Sequence, residues 1–149
     1  MVQRQNLAQA PGVESSGAFA ITLDGEFDIA ERARLLAAFA EATNWPLIIL
    51  DFERTRYVDS TVLDCLVALD RAAAKRESKL ILVGLRPEIR RIFEICDLHR
   101  HFDIRPQFTE VATRLRLNGA DLHRVTLVAE PIPDVGDIEA RRTEVIGES

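Results

Sequence analysis

Two short apolar runs, Leu47-Ile48-Ile49-Leu50 and Leu80-Ile81-Leu82-Val83, stand apart in a chain whose other apolar positions mostly recur at helical spacing. Four residues are too few for a helix. Their β-branched content and lack of alternation read as strands buried on both faces. Between them Val62, Leu66, Leu69 and Ala73 fall at i, i+4, i+7 and i+11, one stripe that Leu63 and Val67 widen. Thr61, Asp64, Ala68, Arg71 and Lys75 occupy the opposite face. A strand over Leu47–Leu50, a charged connection through Glu53, Arg54 and Arg56, and a pattern of helical period with no Gly or Pro as far as Lys79 therefore form one βα unit. Asp59, Ser60 and Thr61 open that helix with side chains able to cap it. Periodicity puts Thr61 on the solvent side and leaves Ser60 to cap, and Thr61-x-x-Asp64 has the spacing of a capping box with Asp in the last place.

The same reading extends along the chain. Ala18 to Leu23 is a strand, and Asp24-Gly25-Glu26-Phe27-Asp28 turns the chain at Gly25. Asp28 caps a helix whose buried side runs through Ile29, Ala33, Leu36 and Ala40. Pro87 suits the first turn of a further helix with Ile89, Ile92, Phe93 and Cys96 as its stripe. His101 to Ile104 is a short edge strand. Thr109 opens a last helix to Leu117, buried through Ala112 and Leu115. Strand and helix patterns in alternation predict an α/β fold with a mostly parallel sheet.

Three segments follow: a flexible lead-in over residues 1–17, a folded domain over 18–117, and an acidic, mobile tail over 118–149. The tail holds three arginines against seven acidic side chains, a net of −4 out of −5 for the chain. Its prolines and charge leave little to bury, although Val125 to Ala129 has the composition of a short strand. An acidic balance argues against a nucleic-acid backbone as partner. No apolar run is long enough to span or insert into a membrane, and no signal core opens the chain. Cys65 and Cys96 lack C-x-x-C spacing, which suits a reducing, cytoplasmic setting.

Most enzyme chemistry has no signature here. No glycine-rich phosphate loop is written, and His99, His101 and His123 lack partners at metal-ligand spacing, so neither cofactor nor metal is expected. Neither cysteine has an activating base nearby in sequence, and Ser60 lacks the G-x-S-x-G elbow.

Leu23-Asp24-Gly25-Glu26-Phe27-Asp28 and Val58-Asp59-Ser60-Thr61 are similar to the L-x-G-E-[LI]-D and [FV]-[MIV]-D-S-[ST]-G motifs of the STAS domain. The run from Leu82 to Phe102 follows them at the family's spacing. The resemblance is to STAS proteins of the anti-sigma-factor antagonist type. It implies a mixed, mostly parallel sheet of four to five strands, the first strands antiparallel, packed with about four helices. It also implies a cytoplasmic, non-enzymatic bacterial regulator of transcription that works by partner switching. Its partners would be an anti-sigma factor that is also a Ser/Thr kinase, and a phosphatase; a homodimer is left open. Carried over, the phosphate acceptor is Thr61, with Ser60 the alternative, and the partner surface comprises Asp24, Glu26, Asp28, Asp59, Ser60, Thr61, Val62 and Asp64. The chain departs from the motif at Val62, where the family has Gly, and a β-branched side chain there restricts a partner's approach. Two other readings stand beside this one. The domain is a subunit docked on a transporter ATPase of the lipid-transport type, or a small enzyme using the Asp59–Thr61 loop.

Overall fold

The computed structural model describes residues 17–117, 119 and 121–130. Strand β1 spans Ala18–Phe27, followed by a single 3-10 turn at Ile29–Glu31 and helix α1 at Arg32–Ala42. Strands β2 (Leu47–Asp51) and β3 (Thr55–Val58) lead into α2 (Ser60–Lys75). Then come β4 (Lys79–Val83), α3 (Pro87–Ile95), β5 (Asp103–Arg105), α4 (Phe108–Arg114) and β6 (Leu122–Val128). Every strand pairing among the described residues is parallel. The mostly parallel α/β sheet with four helices is thus as expected, while the antiparallel first strands are not among these pairings.

β1 is the organising strand. It pairs with β2 through Ala18–Thr22 and, after a register shift between Gly25 and Glu26, with β3. The Asp24–Asp28 segment is therefore not a turn. Gly25 takes φ 118°, a conformation other residues resist, and forms a bulge that carries β1 past the end of β2. β3, read from sequence as part of a charged connection, continues the line of β2. On the opposite edge β1 pairs with β6 over seven residues, Ala18↔Leu122 to Asp24↔Val128. The order across the sheet is then β6-β1-β2-β4-β5.

That pairing corrects the reading of the segment after Asn118. Leu122–Val128 is a sheet strand rather than part of a mobile tail, and His123 stacks on Phe19 and Trp45 with ring centroids 5.1 and 5.4 Å apart. Residues 131–149 and the lead-in through residue 16 lie outside the described residues.

The two faces of the sheet are covered unequally. Phe19, Ile21, Leu23, Ile48, Leu50 and Leu82 pack beneath α1, α2 and α3, against Leu35, Phe39, Leu66 and Phe93. On the other side Ala18, Ala20, Ile49, Ile81 and Val83 form a smaller cluster with Phe108 and Val111 of α4, flanked by the partly buried Leu47, Ala112, Leu117 and Leu122. The α2 stripe is buried as its spacing requires. In α1 the phase differs: Leu35, Phe39 and Ala42 are buried, whereas Ala33 and Ala40 are exposed and Ile29 is 68% exposed. The 3-10 turn shifts the start of the helix, and the larger side chains win the core.

Cys96 caps α3 and is exposed, so it does not complete that stripe. The edge strand begins at Asp103, two residues later than expected. α4 starts at Phe108 rather than Thr109, stops at Arg114, and buries Phe108 and Val111, with Leu115 left exposed. The misplaced helix ends share a cause. Glu77, Asp97 and Arg116 adopt positive φ just past α2, α3 and α4. Behind each, an N–H returns to the helix: Ser78 to Ala73 O (2.8 Å), Leu98 to Phe93 O (2.7 Å) and Leu117 to Ala112 O (2.9 Å). These are Schellman closures made without the glycine that would announce them.

Candidate functional site

The two motifs singled out in the sequence meet at one side chain. Asp59 has extended backbone, φ −103° and ψ −178°, just before α2. Its Oδ1 accepts the Val62 N–H at 3.1 Å and its Oδ2 accepts the Ile29 N–H at 3.1 Å. Its own N–H donates to Phe27 O at 3.2 Å. One carboxylate thus caps α2 and ties the first turn of that helix to the segment leaving β1. The cap expected of Ser60 belongs to Asp59, and Thr61 with Asp64 forms no capping box. Asp28 caps its own turn, Oδ1 accepting the Ala30 N–H at 2.9 Å, as its position suggested.

Around this junction the expected residues separate. Asp28, Asp59, Ser60 and Thr61 are brought together, and Asp64 is exposed one turn along α2. Ser60 is exposed, while Thr61 is half-buried despite its polar-face periodicity. Val62 has no exposed surface at all, because it starts the apolar stripe, so its side chain is not available to a partner. Asp24 points to the opposite sheet face, where Arg54 Nη1 lies 3.6 Å from its Oδ2. Glu26 is exposed and in register with Tyr57 of β3.

Sequence reasoning missed three contributors. Ile29 is an exposed isoleucine whose backbone is anchored by Asp59. Glu31 is buried: its Oε1 accepts from Arg34 at 2.7 Å and its Oε2 accepts the Glu130 N–H at 3.1 Å. Arg34 also donates to Val128 O at 3.0 Å, so the pair latches the end of β6 to the 3-10 turn. A glutamate in a first helical turn ordinarily reads as solvated, and its partner lies 99 residues away. Thr55, fully buried, donates its hydroxyl to Leu23 O at 2.7 Å and pins β3 to β1.

Burial pushes the Cys65 thiol above its ordinary range, a shift that Arg32 opposes and the Asp64 and Asp59 carboxylates reinforce. A thiolate nucleophile needs the reverse. His101 Nε2 lies 2.9 Å from Asp70 Oδ2, so that imidazole ties its loop to α2. Among the described residues no three His, Cys, Asp or Glu side chains are grouped to hold a metal ion. No described helix is long and apolar enough to cross a membrane.

A family profile for the STAS domain matches residues 8–113, well over half of the chain. The protein belongs to the STAS family. No curated protein matches it. Among solved structures, this STAS domain is similar to the Bacillus anti-sigma factor antagonist SpoIIAA in its unphosphorylated form. They share 23% identity over 64% of this chain and 87% of that one, with a TM-score of 0.53. An anti-sigma factor antagonist from Mycobacterium paratuberculosis is 22% identical over 62% of this chain and 80% of its own, TM-score 0.55. A sulfate transporter family protein from Wolinella succinogenes is 15% identical over 67% and 85%, TM-score 0.60. At these identities the likeness is one of fold. β6 falls outside the residues matched to the family.

Proposed function

We propose that this STAS domain is an anti-sigma-factor antagonist that binds an anti-sigma factor with Ser/Thr kinase activity and is switched off by phosphorylation at Thr61. Asp59 carries the reading. Its carboxylate joins the Asp28–Ile29 segment and the first turn of α2 into one surface, on which two hydroxyls sit beside an exposed isoleucine. The protein acts by binding rather than catalysis, and regulates transcription through its partner. A phosphate adds about −1.5 to −2 charges at pH 7, which the N-terminus of a 16-residue helix tolerates. Beside Asp28, Asp59 and Asp64, it repels a partner fitted to the neutral surface. The burial of Val62 keeps its β-branched side chain out of that partner's way. Ser60 is the second reading for the acceptor, favoured by its greater exposure. A phosphatase resets the switch.

The test begins with proteins that co-purify with the tagged full-length chain. A kinase-type anti-sigma factor supports the proposal, and a transporter ATPase supports transporter docking instead. With the kinase in hand, ATP treatment and mass spectrometry map the acceptor; phosphate on Ser60 that persists in Thr61→Ala moves the assignment. Thr61→Glu should weaken kinase binding about tenfold, equivalent to about 1.4 kcal/mol. Unweakened binding by Thr61→Glu, with no phosphate on either hydroxyl, overturns the switch.

A further inference from the structure

Across β6, β1 and β2 the in-register pairs Thr22↔Thr126 and Thr22↔Asp51 place three polar side chains in one row. They lie on the sheet face that carries α4, next to Val83, which is in register with Asp51 and packs with Phe108 and Val111. The central strands of a parallel sheet ordinarily fill such a row with Val, Ile or Leu. Polar groups buried there cost free energy unless each meets a hydrogen-bond partner. Thr22 is 9% exposed and Asp51 4%. Asp51 Oδ1 accepts the Glu53 N–H at 2.9 Å. Its second oxygen and the Thr22 hydroxyl have no hydrogen-bond partner among the described residues, and both are open to the solvent of the cavity they line rather than sealed away from it.

Thr22, Asp51 and Thr126, with Glu53, Arg54 and Arg124, line a cavity of about 300 Å³. The Arg124 guanidinium stands 4.1 Å over the Phe108 ring, which fixes that cation beside α4. Two carboxylates and two guanidiniums leave the lining without net charge but with its signs separated. A simple anion there meets Asp51, and a simple cation meets the arginines. An apolar molecule would displace water from groups it cannot satisfy.

The topology agrees. From β1 the crossovers step one way through β2 and β4 to β5, and the chain then returns by α4 to β6 on the other side of β1. Open parallel sheets bind ligands where the order reverses, toward the carboxyl ends of the strands. Arg124 and Thr126 lie on β6, beyond the residues matched to the family. We infer that this cavity binds a small zwitterion of the α-amino-acid class, its ammonium group on Asp51 and its carboxylate on Arg124, with the Thr22 and Thr126 hydroxyls between. Its volume, at the low end for ligand pockets of about 300–1,000 Å³, suits a molecule of that size.

Thermal melts of the full-length protein with the common α-amino acids, one at a time, test this, with succinate and putrescine as anion-only and cation-only controls. At least one amino acid should raise the melting temperature saturably and slow amide exchange across Leu122–Val128, while neither control does. In calorimetric titration Thr22→Val, which keeps the β-branched shape, and Arg124→Gln, on the exposed edge strand, should each weaken binding about tenfold or more. The inference is overturned if no amino acid shifts the melt, if succinate or putrescine matches the best one, or if both variants bind it undiminished.

Discussion

Phe19, Ile21 and Leu23 point to one side of β1 and are sealed beneath three helices. Thr22 and Asp24, interleaved with them, point to the other side, where the apolar cluster around the one short helix α4 takes in Ala18 and Ala20 of β1 with Ile49, Ile81 and Val83 of the neighbouring strands. The same strand thus supplies core on one face and polar groups on the other. Cover makes the difference. Apolar area is stabilising to bury on both faces, at about 25 cal/mol per Å², but a polar row persists only where solvent or a ligand can reach it. The sealed face holds the fold together and presents the Asp59 junction at its rim, whereas the open face relies on β6 for a wall.

The largest effect should come from removing that wall. A chain ending at Leu117 loses β6, leaves the β1 edge unpaired over Ala18–Asp24, and strips Glu31 of the Glu130 N–H. Its melting temperature should fall by more than about 10 °C, or cooperative unfolding should vanish. A melt within a few degrees of the full chain would show that β1 does not need its second neighbour.

Next is the contrast between faces, read by denaturant titration. Leu66→Ala, with no exposed surface on the sealed side, should cost about 2–5 kcal/mol. Thr22→Val on the open side should change stability by less than about 1 kcal/mol, since the hydroxyl has no protein partner to lose. Equal losses at the two positions would break the comparison.

Glu31→Ala probes the latch between the faces. It takes the acceptor from the Glu130 N–H, leaves Arg34 only the Val128 carbonyl, and should cost about 1–3 kcal/mol. A parallel increase in amide exchange at the end of β6, with α3 unaffected, would confine the damage to that latch.

The smallest effect lies at the far edge. Asp103 accepts from Arg105 Nη2 at 3.1 Å, and this hydrogen bond, with the nearby Arg105 and Lys79 charges, holds its carboxyl below the usual range against the opposing effect of burial. A carboxyl more acidic in the folded chain contributes stability that is complete above its unfolded pKa of about 3.9 and is lost as pH falls through the folded value. Asp103→Asn should therefore flatten slightly the acid limb of unfolding midpoints measured below about pH 5. Solvent screening at this partly exposed edge keeps the change small. A variant with an unchanged acid limb would remove Asp103 from the acid response.

What the sequence by itself determined is what local periodicity and local capping encode. β2 and β4 are legible as apolar runs, α2 as a stripe, Asp28 as a cap, and the two STAS motifs as short ordered strings. What only the tertiary structure decided depends on partners distant along the chain. The phase of α1 turns on which side chains reach the core, and the ends of α2, α3 and α4 on left-handed Glu77, Asp97 and Arg116, which no glycine marks. β6 reads as a weak strand in an acidic tail because its stability comes from β1, about a hundred residues earlier in register. Asp59 reads as one of three possible caps, since its second oxygen is committed to an amide 30 residues back. Such contacts leave no period in the sequence, because the free energy that selects them exists only once the sheet has brought both partners together.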